Sequence, residues 1–287
     1  MKRWRAAAIP YLLILPGGLW LVIFFAIPVI VLISLSTQQG DIVDGFSQTF
    51  HFANYASAWD NYHDQFIRSL LYGGIATILC ILLGYPVAYW IAFRGGARKS
   101  TYLFLLLLPF FVSFVLRTVS WQYFLSDNGI LLGPLKSAGI LPENFRILAT
   151  GTAVVGGLTY NYLPFMVLPI YVALERIDPR LVEAAQDLYA TKAAAFRRVV
   201  LPLSLPGLFA GVLLTFVPVA ADYVNAAILG GTGNTMIGNI IQDEFLNVQD
   251  YPTGAALSFM LMAILLIGMF SYARALGTEE VLEVAAR

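Results

Sequence analysis

Two ionisable side chains lie deep inside long apolar runs. Arg117 falls within Thr101–Leu125 and Asp222 within Leu205–Ile228. A charge at mid-membrane costs at least about 2.5–3.5 kcal/mol, so such residues usually face a bundle interior or a path and have a partner. Two readings stay open. Either the two charges form a structural pair, or Asp222 lines a path and helps bind a cationic solute. Arg117 also lies eight residues from the end of its run, within reach of snorkelling outward. Ser113, Arg117 and Trp121 are spaced four apart and share one helix face. Tyr160, Asn161 and Tyr162 in the fourth run, with Tyr223 and Asn225 beside Asp222, add hydroxyls and amides. Pro164 and Pro218 each free the carbonyl four residues back, those of Tyr160 and Leu214. Freed carbonyls, aromatic faces and a carboxylate suit an ammonium group, which aromatic rings attract by cation–π contact. Tyr and Trp also favour membrane interfaces for ordinary reasons, and proline kinks spans without any transport role. Other chemistry is missing. The sequence has no GxxxxGK[ST], HExxH or GxSxG pattern. His51 and His63 stand twelve apart with no third ligand evident, so no metal site is expected.

The elements that must hold these residues are membrane spans. The chain has 287 residues, 59% apolar and 12% charged. Soluble domains have about 45–50% and about 25%, so a soluble enzyme and a disordered tail are excluded. Lys+Arg and Asp+Glu are 17 each, which gives no basic surface for nucleic acid. The single cysteine, Cys80, excludes an intrachain disulfide. Six runs reach the about 20 residues a helix needs to span: Ile9–Ser36, Phe66–Phe93, Thr101–Leu125, Leu148–Leu174, Leu205–Ile228 and Gly254–Ala273. The first is far longer than the about 7–15 apolar residues of a signal peptide, although Ser34-Leu-Ser36 could mimic a cleavage site. With both termini inside, thirteen Lys and Arg fall on the inner face against three outside, Arg68, Lys136 and Arg146. That bias predicts N-in, C-in. The outer face is then acidic. It could concentrate a cation or dock a partner, and it is also what the positive-inside bias leaves by itself. Gly207-Leu-Phe-Ala-Gly211 predicts a close helix approach.

The longest inner segment, 175–204, reads as a helix–turn–helix. Asp178 caps and Pro179 opens a first helix through Asp187. Thr191 caps a second through Arg198, and Leu201-Pro202 and Leu205-Pro206 are expected to stop it. A small apolar knob centred on Phe196 suits a groove on another protein. The other reading is an amphipathic helix lying on headgroups.

Glu183-Ala184-Ala185, with Leu201-Pro202 downstream, resembles the EAA loop of ABC importer permeases. The stretch Leu163-Pro164-Phe165-Met166 to Leu188 resembles them too. Arg117-Thr118 with Trp121, Asp127-Asn128-Gly129, Gly230-Gly231 and Met236–Ile241 resemble the spermidine/putrescine branch. The family usually has glycine where this chain has Tyr189, and a turn with φ > 0 is costly for tyrosine. The resemblance implies an all-α membrane protein with six transmembrane helices, type I ABC importer permease-like. It implies one permease domain over 1–287 with 175–204 as its coupling segment. Glu183, Ala184, Ala185, Asp187, Tyr189 and Phe196 would face the ATPase. Asp222, Trp121, Tyr160, Asn161, Tyr223 and Asn225 would line the solute path, with Arg117 as a structural or pathway charge.

The implied partners are a second related permease, two ATPase subunits, an extracytoplasmic solute-binding protein and the lipid bilayer, with no nucleic acid. ATP and Mg belong to the ATPase, and this chain would bind no cofactor and catalyse nothing. The implied place is a bacterial cytoplasmic membrane. The implied solute is a polyamine. The alternatives are another cation or an amino acid as solute, and a membrane scaffold that transports nothing.

Overall fold

A computed structural model describes residues 13–275. Lys2, Arg3 and Arg5, which weigh in the expected orientation, and the acids Glu279, Glu280 and Glu283 lie outside the described residues. In chain order the elements are α1 (Leu13–Ser36), β1 (Gln38–Asp41), β2 (Gly45–Gln48), α2 (Ala53–Arg94), α3 (Lys99–Leu107) and α4 (Phe114–Leu125). Then come α5 (Leu132–Ser137), α6 (Gly151–Glu175), α7 (Pro179–Asp187), α8 (Lys192–Ala220), α9 (Val224–Leu229), α10 (Ile237–Asp243) and α11 (Tyr251–Ala275). Helices α1, α2, α6, α8 and α11 are each long and apolar enough to span, and the stretch holding α3 and α4 makes a sixth span if counted as one. The described residues divide into two units, one of residues up to His63 with Ile241–Met262, the other of Asp64–Ile240 with the residues from Ala263.

In the first unit α1 is apolar all round, with Trp20, Phe25 and Ile30 exposed, as a helix facing lipid should be. It ends in a hairpin that periodicity did not reveal. β1 and β2 pair antiparallel, Gln38 opposite Gln48 and Asp41 opposite Gly45. The Asp41 carboxylate closes the turn by accepting from the N–H groups of Val43 (2.8 Å) and Asp44 (2.7 Å). These two bonds hold its carboxyl below the ordinary range. Asn54 donates to the carbonyls of Ser36 (3.1 Å) and Gln38 (2.9 Å), tying the hairpin to the start of α2. Tyr62 donates to Glu244 at 2.6 Å, and burial pushes the Glu244 carboxyl above its usual value against that bond.

In the second unit α6 is the central element. Its buried face meets α2 through Cys80 and Ala88, and α8 packs along it. Gly207 and Gly211 allow that approach. A Cβ on Gly207 would stand 2.5 Å from the Pro169 carbonyl oxygen, and one on Gly211 2.8 Å from Met166 Sδ.

Two expected spans are broken, and one expected break is absent. The third run unwinds after Pro109. The chain tightens to a 3-10 turn at Leu108–Phe111, becomes extended at Val112 and Ser113, and restarts as α4 at 88°. The helix of the fifth run stops at Ala220, about two turns short of where its hydropathy ends, and restarts as α9. Conversely, Pro202 and Pro206 do not stop the helix that begins at Lys192. A π turn at Phe196–Val200 lets the Leu201 N–H reach the Phe196 carbonyl, which absorbs the ring one residue later. The second helix of the 175–204 segment therefore runs without interruption into the fifth span.

Both predicted caps form. Asp178 accepts from the Arg180 N–H at 2.9 Å, and Thr191 from the Ala194 N–H at 3.2 Å. Helix α7 ends with the Ala190 N–H on the Ala185 carbonyl (3.0 Å) and the Tyr189 N–H on the Gln186 carbonyl (2.9 Å). This closure puts Tyr189 at φ = 61°. The turn keeps the conformation glycine would favour, and the tyrosine adopts it at a cost of about 1–2 kcal/mol. Relieving that strain gives a test. Tyr189→Gly should leave the turn as stable or up to about 1 kcal/mol more stable. Tyr189→Val, β-branched, should loosen it and speed limited proteolysis between α7 and α8. Equal cleavage rates in the three proteins would mean that the left-handed turn stores no strain.

Candidate functional site

Two regions gather the side chains of interest. The first is the break between α8 and α9. Asp222 is 5% exposed and serves as the polar cap of α9. Its Oδ1 accepts from the Asn225 N–H at 2.7 Å. Its Oδ2 accepts from Asn225 Nδ2 and from the Tyr162 hydroxyl, both at 3.1 Å. The Asn225 Oδ1 in turn accepts from Asn161 Nδ2 at 3.0 Å and from Thr118 Oγ1 at 3.4 Å. Asn161 Nδ2 also donates to Thr118 Oγ1 at 3.1 Å. Three elements, α4, α6 and α9, thus meet in one buried polar network. Beyond it, Asn239 donates to the Tyr223 carbonyl at 2.6 Å and accepts from the Met236 N–H at 2.9 Å. Hydrogen bonds contribute about 0.5–1.5 kcal/mol each, so the three that Asp222 accepts hold the break between α8 and α9 together.

The Arg117–Asp222 ion pair, one of the two readings left open, does not occur among the described residues. Asp222 is saturated by Asn225 and Tyr162. The Arg117 guanidinium, 8% exposed, lies over the rings of Phe110 (4.7 Å to the centroid) and Phe114 (5.8 Å). Phe114 is the i, i+3 neighbour of Arg117 on α4, whereas Phe110 lies across the helix break, where spacing along one helix could not place it. Trp121 packs edge-on to Tyr160 at 5.3 Å, with Tyr160 37% and Tyr223 45% exposed. The path candidates therefore separate into a buried network of Asp222, Asn161 and Asn225 and accessible aromatics, Trp121, Tyr160 and Tyr223. Tyr162, one of the span-four hydroxyls already expected on the path, and Thr118 complete the network. Thr118 was not singled out as a site residue, and its one signal was adjacency to Arg117.

The second region is the segment 175–204, expected to face an ATPase. Glu183, Ala184 and Asp187 are exposed, and Leu188 and Tyr189 stand out at 81% and 98%. Ala185 is half-buried. Phe196, expected as a protruding knob, is instead held between Tyr85 and Tyr89 of α2, edge-on at 5.7 Å to each. Helix continuity turns its side chain back onto the bundle, where it borders an apolar cavity of ≈ 420 Å³ with Pro86, Trp90 and Arg94. Lys99 and Glu175 form an ion pair at 2.9 Å beside this end of the bundle. At the connection after α4, Lys136 and Arg146 hold the Asp127 carboxyl below the ordinary carboxylate range.

A family model described as binding-protein-dependent transport system inner membrane component matches residues 81–275. The spermidine/putrescine transport system permease protein PotB of Haemophilus influenzae is 38% identical over 257 residues, 89% of this chain and 90% of that one. PotB of Escherichia coli K12 is 37% identical over 257 residues, 89% of this chain and 94% of that one. Among solved structures, a bacterial ABC transporter involved in the import of the acidic polysaccharide alginate superposes with a TM-score of 0.71 at 18% identity, covering 97% of this chain and 99% of that chain.

The saturated carboxylate makes a prediction opposite to a solute-binding role. Asp222→Asn should lower the thermal stability of the detergent-extracted protein by about 1–3 kcal/mol, because the amide presents a donor to Asn225 Nδ2 or Tyr162. Loss of uptake at unchanged stability would instead return the carboxylate to the solute.

Proposed function

Because the chain belongs to the family of binding-protein-dependent transport system inner membrane components, a bacterial inner-membrane family, we propose that it is the permease subunit of an ATP-driven importer for spermidine and putrescine. The fold is the six-span, helical type I importer permease fold. The observation that carries the solute class is the 38% identity to PotB over nine-tenths of both chains. An alignment covering 89% of this chain includes both breaks and the segment 175–204.

In this reading the chain works with a second permease, two ATPase subunits that hold ATP and Mg, and a solute-binding protein on the outer face. The loop charges put both termini inside. The exposed row of α7, with Glu183, Ala184, Asp187 and Tyr189, meets the ATPase. Phe196, wedged against α2, transmits its movement into the bundle, since α8 has no joint between Lys192 and Ala220. A push at the cytoplasmic end therefore moves α8 as a lever against α6. The network around Asp222 keeps the far end of that lever together. Trp121, Tyr160 and Tyr223 offer aromatic faces to ammonium groups along the path.

The test is ATP hydrolysis by the complex purified in mild detergent with its binding protein. Spermidine or putrescine should stimulate it. Glu183→Lys should cut the stimulated rate at least about ten-fold, the effect of losing about 1.4 kcal/mol of coupling, with the spans still inserted. Stimulation by another solute alone would keep the importer and change its cargo. An intact preparation carrying no ATPase would refute the coupling role.

A further inference from the structure

The break between α3 and α4 opens onto a cavity of ≈ 530 Å³ whose walls are Phe110, Phe111, Phe114, Phe165, Tyr162 and Arg117. Two features of it call for an anion. The first is Arg117, 8% exposed, whose Nε has no hydrogen-bond partner. Its aromatic neighbours attract the cation but accept no conventional hydrogen bond, and no ion pair to Arg117 occurs among the described residues. The second is the start of α4. This helix has 12 residues, and its N-cap, Ser113, makes no side-chain capping bond. Val112, Ser113 and Phe114 line the same cavity, so the first-turn N–H groups and the guanidinium serve one space. A desolvated guanidinium beside a positive helix end is a costly arrangement without a carboxylate.

We propose that this cavity receives an Asp or Glu side chain from the second permease subunit, which pairs with Arg117 and caps α4. The proposal rests on the importer reading above. The cargo there is a cation, so the carboxylate comes from protein. The chain's own deep acid, Asp222, is already occupied by Asn225 and Tyr162. Phe111, 79% exposed at the rim, is placed to lie against the incoming subunit. Once paired, Arg117 no longer repels a polyamine, so the contact both joins the subunits and neutralises this stretch of wall.

The test uses the assembled transporter in mild detergent. p-Benzoylphenylalanine in place of Phe111 should photo-crosslink this chain to the second permease. Crosslinks only within the chain or to lipid would overturn the proposal. Arg117→Glu should reduce co-purification of the second permease at least ten-fold. One membrane acid of that subunit, changed to Lys, should restore it. If no such acid restores it, the pairing is wrong. Arg117→Gln, which keeps polarity and removes charge, carries the same readout if the Glu variant is degraded. Intact assembly with uptake lost would assign Arg117 to a carboxylate on the solute and overturn the proposal. Failure of the unaltered chain to bring down any second permease would refute the importer reading itself, and this pairing with it.

Discussion

Backbone N–H and C=O groups inside a bilayer have no water to bond, so a span that breaks must find partners for its freed groups within protein. This constraint organises the second unit. At the break after Ala220, Asp222 supplies the acceptor for the Asn225 N–H, and Asn239 supplies the donor for the Tyr223 carbonyl. Asn225 extends the arrangement to α6 and α4 through Asn161 and Thr118. The residues that look chemically active are thus first of all the residues that make an interrupted span tolerable. A carboxylate is suited to the task because it accepts several bonds at once, and each is stronger than its neutral counterpart.

The other break is resolved differently. Beyond Phe111 two residues are extended, and α4 starts without a side-chain cap. The aromatic rings around Arg117 hold a cation in place without neutralising it. Asp222 and Arg117 belong to one unit but do not satisfy each other. Asp222 is instead committed to the break between α8 and α9, and Arg117 is left facing a cavity. That division separates rigidity, which the Asp222 network supplies, from reactivity toward a partner, which the Arg117 side retains.

The end of the bundle that carries Tyr189 and Phe196 combines stiffness with exposure. A π turn carries α8 past two prolines, so the helix beginning at Lys192 and the fifth span are one body. Tyr189 occupies a left-handed position where glycine would be easier, and it is almost fully exposed. Strain of this kind persists only where the surrounding structure holds it. Here the closing bonds of α7 do so, and they leave the ring and Leu188 at the protein's edge.

Much of this was legible in the residues. Six spans followed from apolar length, the caps at Asp178 and Thr191 from residue type and position, and a close helix approach from Gly207 and Gly211, though not that α6 is the helix that approaches. These are local properties, set by a side chain's own chemistry and its neighbours within a turn or two. The hairpin of Gln38–Gln48 was not legible, because its strands are four residues each and mostly polar. Nor were the partners of the deep charges. Arg117 meets Phe110 across an 88° bend, and Asp222 meets Tyr162 from a helix 60 positions earlier. The sequence by itself determined that two charges had to be compensated inside a membrane, since that cost depends only on charge and burial. Which groups compensate them was decided by where two helices break, and that depends on contacts between segments far apart in the chain.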